Sequence, residues 1–300
     1  MTSTNTCSTL LPTGSEPAFI YGTAWKKDQT SRLVKEALAA GFRGVDTAAQ
    51  PRHYREDLVG VGLREALREG TAQRSDIYLQ TKFTSPRGQD ANNMPYDPED
   101  GLETQIHTSV SSSLHNLRHS EDQNADNESY IDCLLLHSPY PTSQATLEAW
   151  KILESYVPHK ILRLGISNVS LGILEELYER SSVKPSVVQN RFYPSTYYDV
   201  QLRKFCVERG IMYQSFWTLT GNPRLLASEA IEKLANAAKV SSASALYSLV
   251  MNLGIVVLNG TTSTQHMQDD LAEIKEVQKW ATSYPDDWKT IAESFASLIE

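Results

Sequence analysis

Residues 41–60 read GFRGVDTAAQPRHYREDLVG, and this stretch narrows the choice of fold more than any other. Phe42 and Val45 open it as a buried strand, and Asp46 stops the apolar run. A polar loop carrying Tyr54 then leads into a helix predicted from about Arg55 to Glu69, where Leu58, Val59, Gly62, Leu63, Ala66 and Leu67 recur at helical spacing. A strand that ends in an acid and passes through a loop into a helix is half of a βα unit. Asp46 then stands at the carboxyl end of its strand, the end at which parallel α/β folds place their chemistry. Two further strands close on ionisable groups: IYLQTK on Lys82 and YIDCLLLH on His137.

The same alternation runs through the chain. PAFIYGTAWK is a short strand with Gly22 and Thr23 at its exit and Trp25 beyond. Leu33, Val34, Ala37 and Leu38 mark the next helix, with Gly41 as its stop. Leu102 to Arg118 reads as a helix, and Leu147, Trp150, Ile152 and Leu153 mark another. LRLGIS, PSVVQN, IMYQSF and GIVVLNG complete the strands, with helices predicted over Val169 to Glu179, Val200 to Arg209, two segments of 229–252 separated near Val240, Met267 to Trp280, and Asp286 to Ile299. The long loop TSPRGQDANNMPYDPED after Lys82 lies on the functional rim, where long loops bind ligands. The alternation predicts an α/β fold, a single (β/α)8 TIM barrel over 18–300 behind a polar tail at 1–17. A doubly wound open sheet is the runner-up, and the absence of GxGxxG after the first strand counts against it.

A net charge of -8 and a pI near 5.5 argue against a nucleic-acid partner. Cys7, Cys133 and Cys206 are far apart and form no metal-ligand spacing, so no disulfide framework and no metal site is expected. The N-terminus has no basic region followed by an apolar run, and no stretch is long enough to span a membrane, so a cytoplasmic protein is expected.

Singly, each rim residue has a plain explanation: Asp46 as a turn cap, Tyr54 as packing, Lys82 as a solvated strand end, His137 as a core histidine. Together they suit proton donation to a carbonyl. A phenol has a pKa of ~10, a lysine ammonium nearby lowers it, and a carboxylate holds the lysine in place. A histidine adds a proton relay or a hydrogen bond to the carbonyl oxygen. The hydride must come from a cofactor.

The segments GTAW, GFRGVDTA, REDLVG, QTK, LLLHSP, LGISN and PSVVQN resemble the aldo-keto reductase family, in family order and across most of the chain. The resemblance implies a barrel that reduces aldehydes and ketones with NADP(H), with NAD(H) left open, and without a metal. It implies that Asp46, Lys82 and His137 are catalytic, and that Ser167, Asn168 and Gln189 hold the nicotinamide carboxamide; Tyr54 is taken as the catalytic tyrosine because a phenol is the needed chemistry. Gly22, Thr23, Ser215, Gly260 and Thr261 fall in the cofactor region. Three departures from the family pattern stand out. Counting back from Gly60 puts His53 on the tyrosine position, so His53 is held in reserve beside Tyr54. In YQSFWTLT the aromatic that stacks on nicotinamide is Tyr213, Phe216 or Trp217, with the last two favoured. After the last strand, Thr262, His266, Asp269 and Asp270 stand where a basic clamp for a 2′-phosphate is usual, a polar pattern resembling the potassium-channel beta-subunit branch; Arg224 is the nearest candidate cation.

The expected function is reduction of a small-molecule carbonyl, with Tyr54 giving the proton. A slow nucleotide-binding regulatory barrel and a non-redox isomerase or lyase reusing the acid–base set are the alternatives. Trp25, His53, Phe83 and Tyr140 are expected to line an aromatic substrate mouth, which suits a natural-product carbonyl better than a small sugar.

Overall fold

The computed structural model describes residues 17–122 and 128–300; Cys7, the tail expected over 1–17 up to residue 16, and part of the polar loop after Arg118 lie outside them. The strands are β1 (Phe19–Gly22), β2 (Gly44–Asp46), β3 (Tyr78–Phe83), β4 (Cys133–Leu136), β5 (Leu164–Ser167), β6 (Val187–Arg191), β7 (Met212–Phe216) and β8 (Val256–Asn259). Each pairs in parallel with the next, and β8 pairs with β1, so the sheet closes into an eight-stranded barrel. The helices are α1 (Thr30–Ala40), α2 (Glu56–Arg68), α3 (Leu102–Asn116), α4 (Ser143–Glu154), α5 (Leu171–Arg180), α6 (Val200–Arg209), α7 (Pro223–Leu226), α8 (Glu229–Ala238), α9 (Ser242–Asn252), α10 (Thr264–Ser283) and α11 (Pro285–Ala296). The open sheet is thereby excluded, because only a closed barrel pairs its first strand with its last.

The strand period of two sorts every side chain. Ile20, Tyr78, Cys133, Leu135, Val187 and Val256 pack together inside the barrel. The residues between them, such as Tyr21, Leu79, Leu134, Leu136 and Val257, join the larger core under the helices. Interior space is short: a Cβ on Gly165 would stand 2.5 Å from Leu135 Cδ2 and 2.6 Å from the Val187 carbonyl oxygen. Continuing the inward series toward the carboxyl ends gives Gly22, Asp46, Gln80, Lys82, His137, Ser167, Gln189, Arg191, Gln214, Phe216 and Gly260. The mouth is built from these residues.

Candidate active site

Lys82 and Asp46 meet inside the barrel at 1% and 2% exposure. Lys82 Nζ donates to both carboxylate oxygens of Asp46 at 2.7 Å, and to the Thr47 carbonyl at 2.7 Å. Asp46 Oδ1 also accepts from Gln80 Nε2 at 2.6 Å and from Gln189 Nε2 at 3.0 Å. Gln214 Oε1 ties those two amides together, at 2.8 and 3.0 Å. A buried ion pair is tolerable only when its remaining lone pairs are satisfied, and this amide cluster does so. Burial pushes the Lys82 ammonium below its ordinary range, and the charge of Asp46 acts against that shift.

Tyr54 stands over this pair. Lys82 Nζ lies 5.3 Å from its ring centroid, and the His137 ring lies 6.2 Å away at 71°. The Tyr54 hydroxyl has no hydrogen-bond partner among the described residues, since the three Lys82 bonds all go elsewhere. The expectation that lysine lowers the phenol is corrected: burial raises the Tyr54 pKa well above 10, and the charge of Asp46 raises it further. His137 is driven down to about 3 by burial and then by the Lys82 charge, so its imidazole is neutral. Its Nδ1 is 2.6 Å from Thr84 Oγ1. The loop holding Tyr54 is anchored through Glu56, whose buried carboxyl accepts from Thr81 at 2.5 Å and Ser113 at 3.0 Å, and from Asn116 at 3.4 Å.

His53, the reserve candidate, packs against Trp25 with ring centroids 3.8 Å apart and the rings tilted by 36°, and its Nδ1 is buried without a partner among the described residues. Burial lowers its pKa. Trp25 is 65% exposed and Trp217 51% exposed, both at the mouth and both in the left-handed backbone region, at φ 65° and 60°. Asn168, at φ 54°, is exposed and donates to the His137 carbonyl at 3.0 Å and to Ser167 Oγ at 3.1 Å, while Ser167 donates to the Gln189 carbonyl at 2.6 Å. The Thr23 hydroxyl donates to the Asp46 carbonyl at 2.9 Å, and a Cβ on Gly22 would meet the Asn259 carbonyl oxygen at 3.4 Å.

Period two overturns several expectations. Phe83 follows inward Lys82, so it faces outward, fully buried against Tyr96 at 5.7 Å, and does not line the mouth. Ser215 follows inward Gln214, and its hydroxyl is buried against Thr218 at 2.8 Å. Tyr213 likewise faces outward, with its hydroxyl on Asp199 at 2.9 Å, so Phe216 is the inward aromatic of β7. Tyr140 is half-buried beside the core with its hydroxyl unpartnered, and burial pushes that phenol up to about 12. Asp270 is buried and accepts from Asn259 at 2.7 Å, so it faces inward, while Asp269 accepts from Gln265 at 2.8 Å.

Arg224 is exposed on α7, where the phenol of Tyr198 feels its charge. The cation that touches the loop after β8 is instead Lys26, buried, with its ammonium on the Gly260 carbonyl and 5.8 Å from the Tyr21 ring. Thr261 and Thr262 follow, then Ser263 caps α10 by accepting from His266 N at 3.3 Å. Lys26, Glu56, Thr84, Gln80 and Gln214 were not singled out from the sequence. Gln80 and Gln214 could have been found by counting two residues back from Lys82 and Phe216.

A model of the Aldo/keto reductase family matches residues 14–284. The NAD/NADP-dependent indole-3-acetaldehyde reductase of Schizosaccharomyces pombe is 27% identical over 270 residues, covering 85% of this chain and 84% of that protein. The glyoxal reductase of Bacillus subtilis is 27% identical over 232 residues, covering 77% and 72%. Among solved structures, a Bombyx mori aldo-keto reductase in complex with NADP superposes with a TM-score of 0.68 at 19% identity, over 90% of this chain and 94% of that one. No helix among the described residues is long and apolar enough to cross a membrane.

Proposed function

This chain belongs to the aldo/keto reductase family and is an NAD(P)H-dependent oxidoreductase acting on carbonyl groups; from that premise we propose that Tyr54 is the proton donor, with His137, Lys82 and Asp46 as its partners. The observation that carries the reading is the convergence of Lys82 and His137 on the Tyr54 ring, 5.3 and 6.2 Å from it, with the Tyr54 hydroxyl free of protein partners among the described residues. A phenol raised by burial stays protonated at neutral pH, which is the state an acid needs. As it gives its proton to the carbonyl oxygen, the nearest cation to its ring is the Lys82 ammonium, which Asp46 holds in place. Neutral His137 donates from Nε2 to the same oxygen when Thr84 donates to Nδ1.

The residues present fit a nicotinamide dinucleotide. Inward Phe216 offers a ring face, and Ser167, Asn168 and Gln189 offer amide and hydroxyl groups beside it. Gly22 and Gly260 leave the rim bare where a ligand approaches. When bound, the cofactor supplies the hydride to the carbonyl carbon. Lys26 and the N-terminus of α10 suit its phosphates. This favours NADPH with Lys26, not Arg224, as the cation. Exposed Trp25 and Trp217 support an aromatic or otherwise apolar carbonyl as substrate.

Tyr54→Phe and His53→Ala test the assignment. Tyr54→Phe is expected to lower carbonyl reduction by roughly 10²–10⁴-fold, the range of general acid catalysis, while NADPH binding by fluorescence titration stays close to that of the parent. A near-parental rate in Tyr54→Phe together with a dead His53→Ala moves the role to His53.

A further inference from the structure

We propose that Arg191 is a specificity residue that receives an anionic group on the substrate, so that the preferred substrates are oxo acids: aldehydes or ketones carrying a carboxylate away from the reacting carbonyl. The inference rests on the reading of Tyr54 and His137 as the carbonyl-reducing pair.

Arg191 ends β6 two residues after Gln189. Gln189 points into the barrel, onto Asp46, so Arg191 shares its inward face at the mouth. Its register partner on β7 is Phe216, which is inward for the same reason. The guanidinium lies 5.5 Å from the Phe216 ring centroid and 4.8 Å from that of Trp217. Those rings, at 77° to each other, border it on two sides. No carboxylate and no hydrogen-bond acceptor meets its nitrogens among the described residues. Arg55 on the same rim is different, being paired with Asp28 and Asp57 at 2.8 Å. A planar guanidinium, flanked by two aromatic rings and open at its donor edge, matches the fork of a carboxylate.

The space beside it is sized for a ligand. Arg191, Asn168, Tyr193, Tyr197 and Tyr198 border a groove of about 820 Å³ that reaches the C-terminal Glu300. At the groove's edge Asn168 donates to the His137 carbonyl at 3.0 Å, so the backbone of the strand that carries His137 borders it. The phosphates of a dinucleotide have a different address. Lys26 and Gly260 lie at the β8–β1 seam, and β6 is separated from β8 by β7. Arg191 stands instead beside Asn168, Gln189 and Phe216, at the nicotinamide end of the cofactor where the substrate must also lie. From His137 on β4 to Arg191 on β6 is two strand spacings, roughly 10 Å. A benzene ring bearing carbonyl and carboxylate groups in para positions spans that gap once its hydrogen bonds at both ends are included.

The experiment compares 4-carboxybenzaldehyde with its neutral methyl ester, using NADPH and the parent chain, Arg191→Gln and Arg191→Lys. The parent is expected to favour the acid through KM. Arg191→Gln is expected to lower the acid-to-ester ratio of kcat/KM roughly ten- to a hundredfold, the range of a charge-assisted hydrogen bond. Arg191→Lys restores part of it. An unchanged ratio overturns the inference. So does an equal loss on both substrates accompanied by weaker NADPH binding, which assigns Arg191 to the cofactor platform. Tryptophan fluorescence separates this inference from the reductase reading, because the Arg191 guanidinium lies 4.8 Å from the Trp217 ring. If neither aldehyde is reduced, yet the acid quenches the parent and not Arg191→Gln, the anion site stands and the reductase reading falls. If the ester is reduced well and the acid gains nothing from Arg191, the reductase reading stands and the anion site falls.

Discussion

Three ionisable rings share the mouth, and pH acts on each differently. Burial, then the Asp46 charge, raises the Tyr54 phenol far above its ordinary range, so it keeps its proton into alkaline solution. His137, held down to about 3 by burial and by Lys82, is neutral above that value and has no proton to lose near neutrality. His53, lowered by burial, sheds its proton below ~6.5. An acid catalyst must hold its proton before the reaction, so the rate of reduction falls as pH rises through its pKa. With Tyr54 as the donor, kcat/KM for carbonyl reduction is expected to stay level from about pH 6.5 to about pH 9. A profile that falls with rising pH below neutrality, and loses that limb in His53→Ala, would show that the proton comes from His53. The stopped-rate profile with NADPH at saturating concentration is the measurement.

The helix that carries Tyr54 into place is held by its neighbours. A Cβ on Gly60 of α2 would stand 1.8 Å from the Asn116 carbonyl oxygen at the end of α3, and a backbone carbonyl cannot swing away as a side chain can. Gly60→Ala therefore pushes α2 from α3 and disturbs the Glu56–Ser113–Asn116 bonds at the start of the same helix. Overpacking of this kind typically costs ~1–3 kcal/mol. The expected result is a lower Tm and a lower kcat with Tyr54 itself unchanged; a Tm and kcat equal to those of the parent would mean that the two helices are not in firm contact. This helix was legible in the sequence because Val59, Gly62, Leu63 and Ala66 recur at its buried face. The eight strands were legible as apolar runs ending in polar groups, and α6 was located from Val200 to Arg209. The short α7 was not, because four residues cannot show a helical period. Asp46, Lys82, His137 and Phe216 were legible as strand-end residues. Phe83 and Ser215 were misassigned because nearness in sequence was read as nearness in space, whereas adjacent strand residues face opposite ways. Nothing local marks Trp25 or Trp217 as left-handed. Backbone that costs ~1–2 kcal/mol outside glycine is imposed by tertiary contacts, such as the bond from Trp25 N to the His53 carbonyl at 2.7 Å.

Closure of the barrel creates a contact that no local reading of the chain could supply. Lys26 follows β1 and Gly260 follows β8, 234 positions apart, yet the ammonium of one rests on the carbonyl of the other. Tyr21 adds a second tie, its hydroxyl donating to the Thr261 carbonyl at 2.9 Å. Burial lowers the Lys26 ammonium, and no carboxylate pairs with it among the described residues, so an anion arriving at this seam would supply the missing partner. A phosphate bridging Lys26 and the start of α10 would hold the first and last strands together, and cofactor binding would then stabilise the whole barrel. At a concentration of 100 Kd a ligand adds ~2.7 kcal/mol. At ~2.1 cal/mol/K per residue, that is roughly 4 °C of Tm for a chain of this length. A tenfold weaker complex loses about half of the gain. Lys26→Gln is therefore expected to halve the NADPH-induced rise in Tm or reduce it further, whereas Arg224→Ala leaves it unchanged. Comparison with NADH locates the contact: a loss confined to NADPH puts Lys26 on the 2′-phosphate, and an equal loss with both nucleotides puts it on the pyrophosphate. If the Lys26→Gln shifts match those of the parent with both nucleotides, the seam takes no part in cofactor binding. If Arg224→Ala alone loses the NADPH shift, the cation is the one first suggested by the sequence.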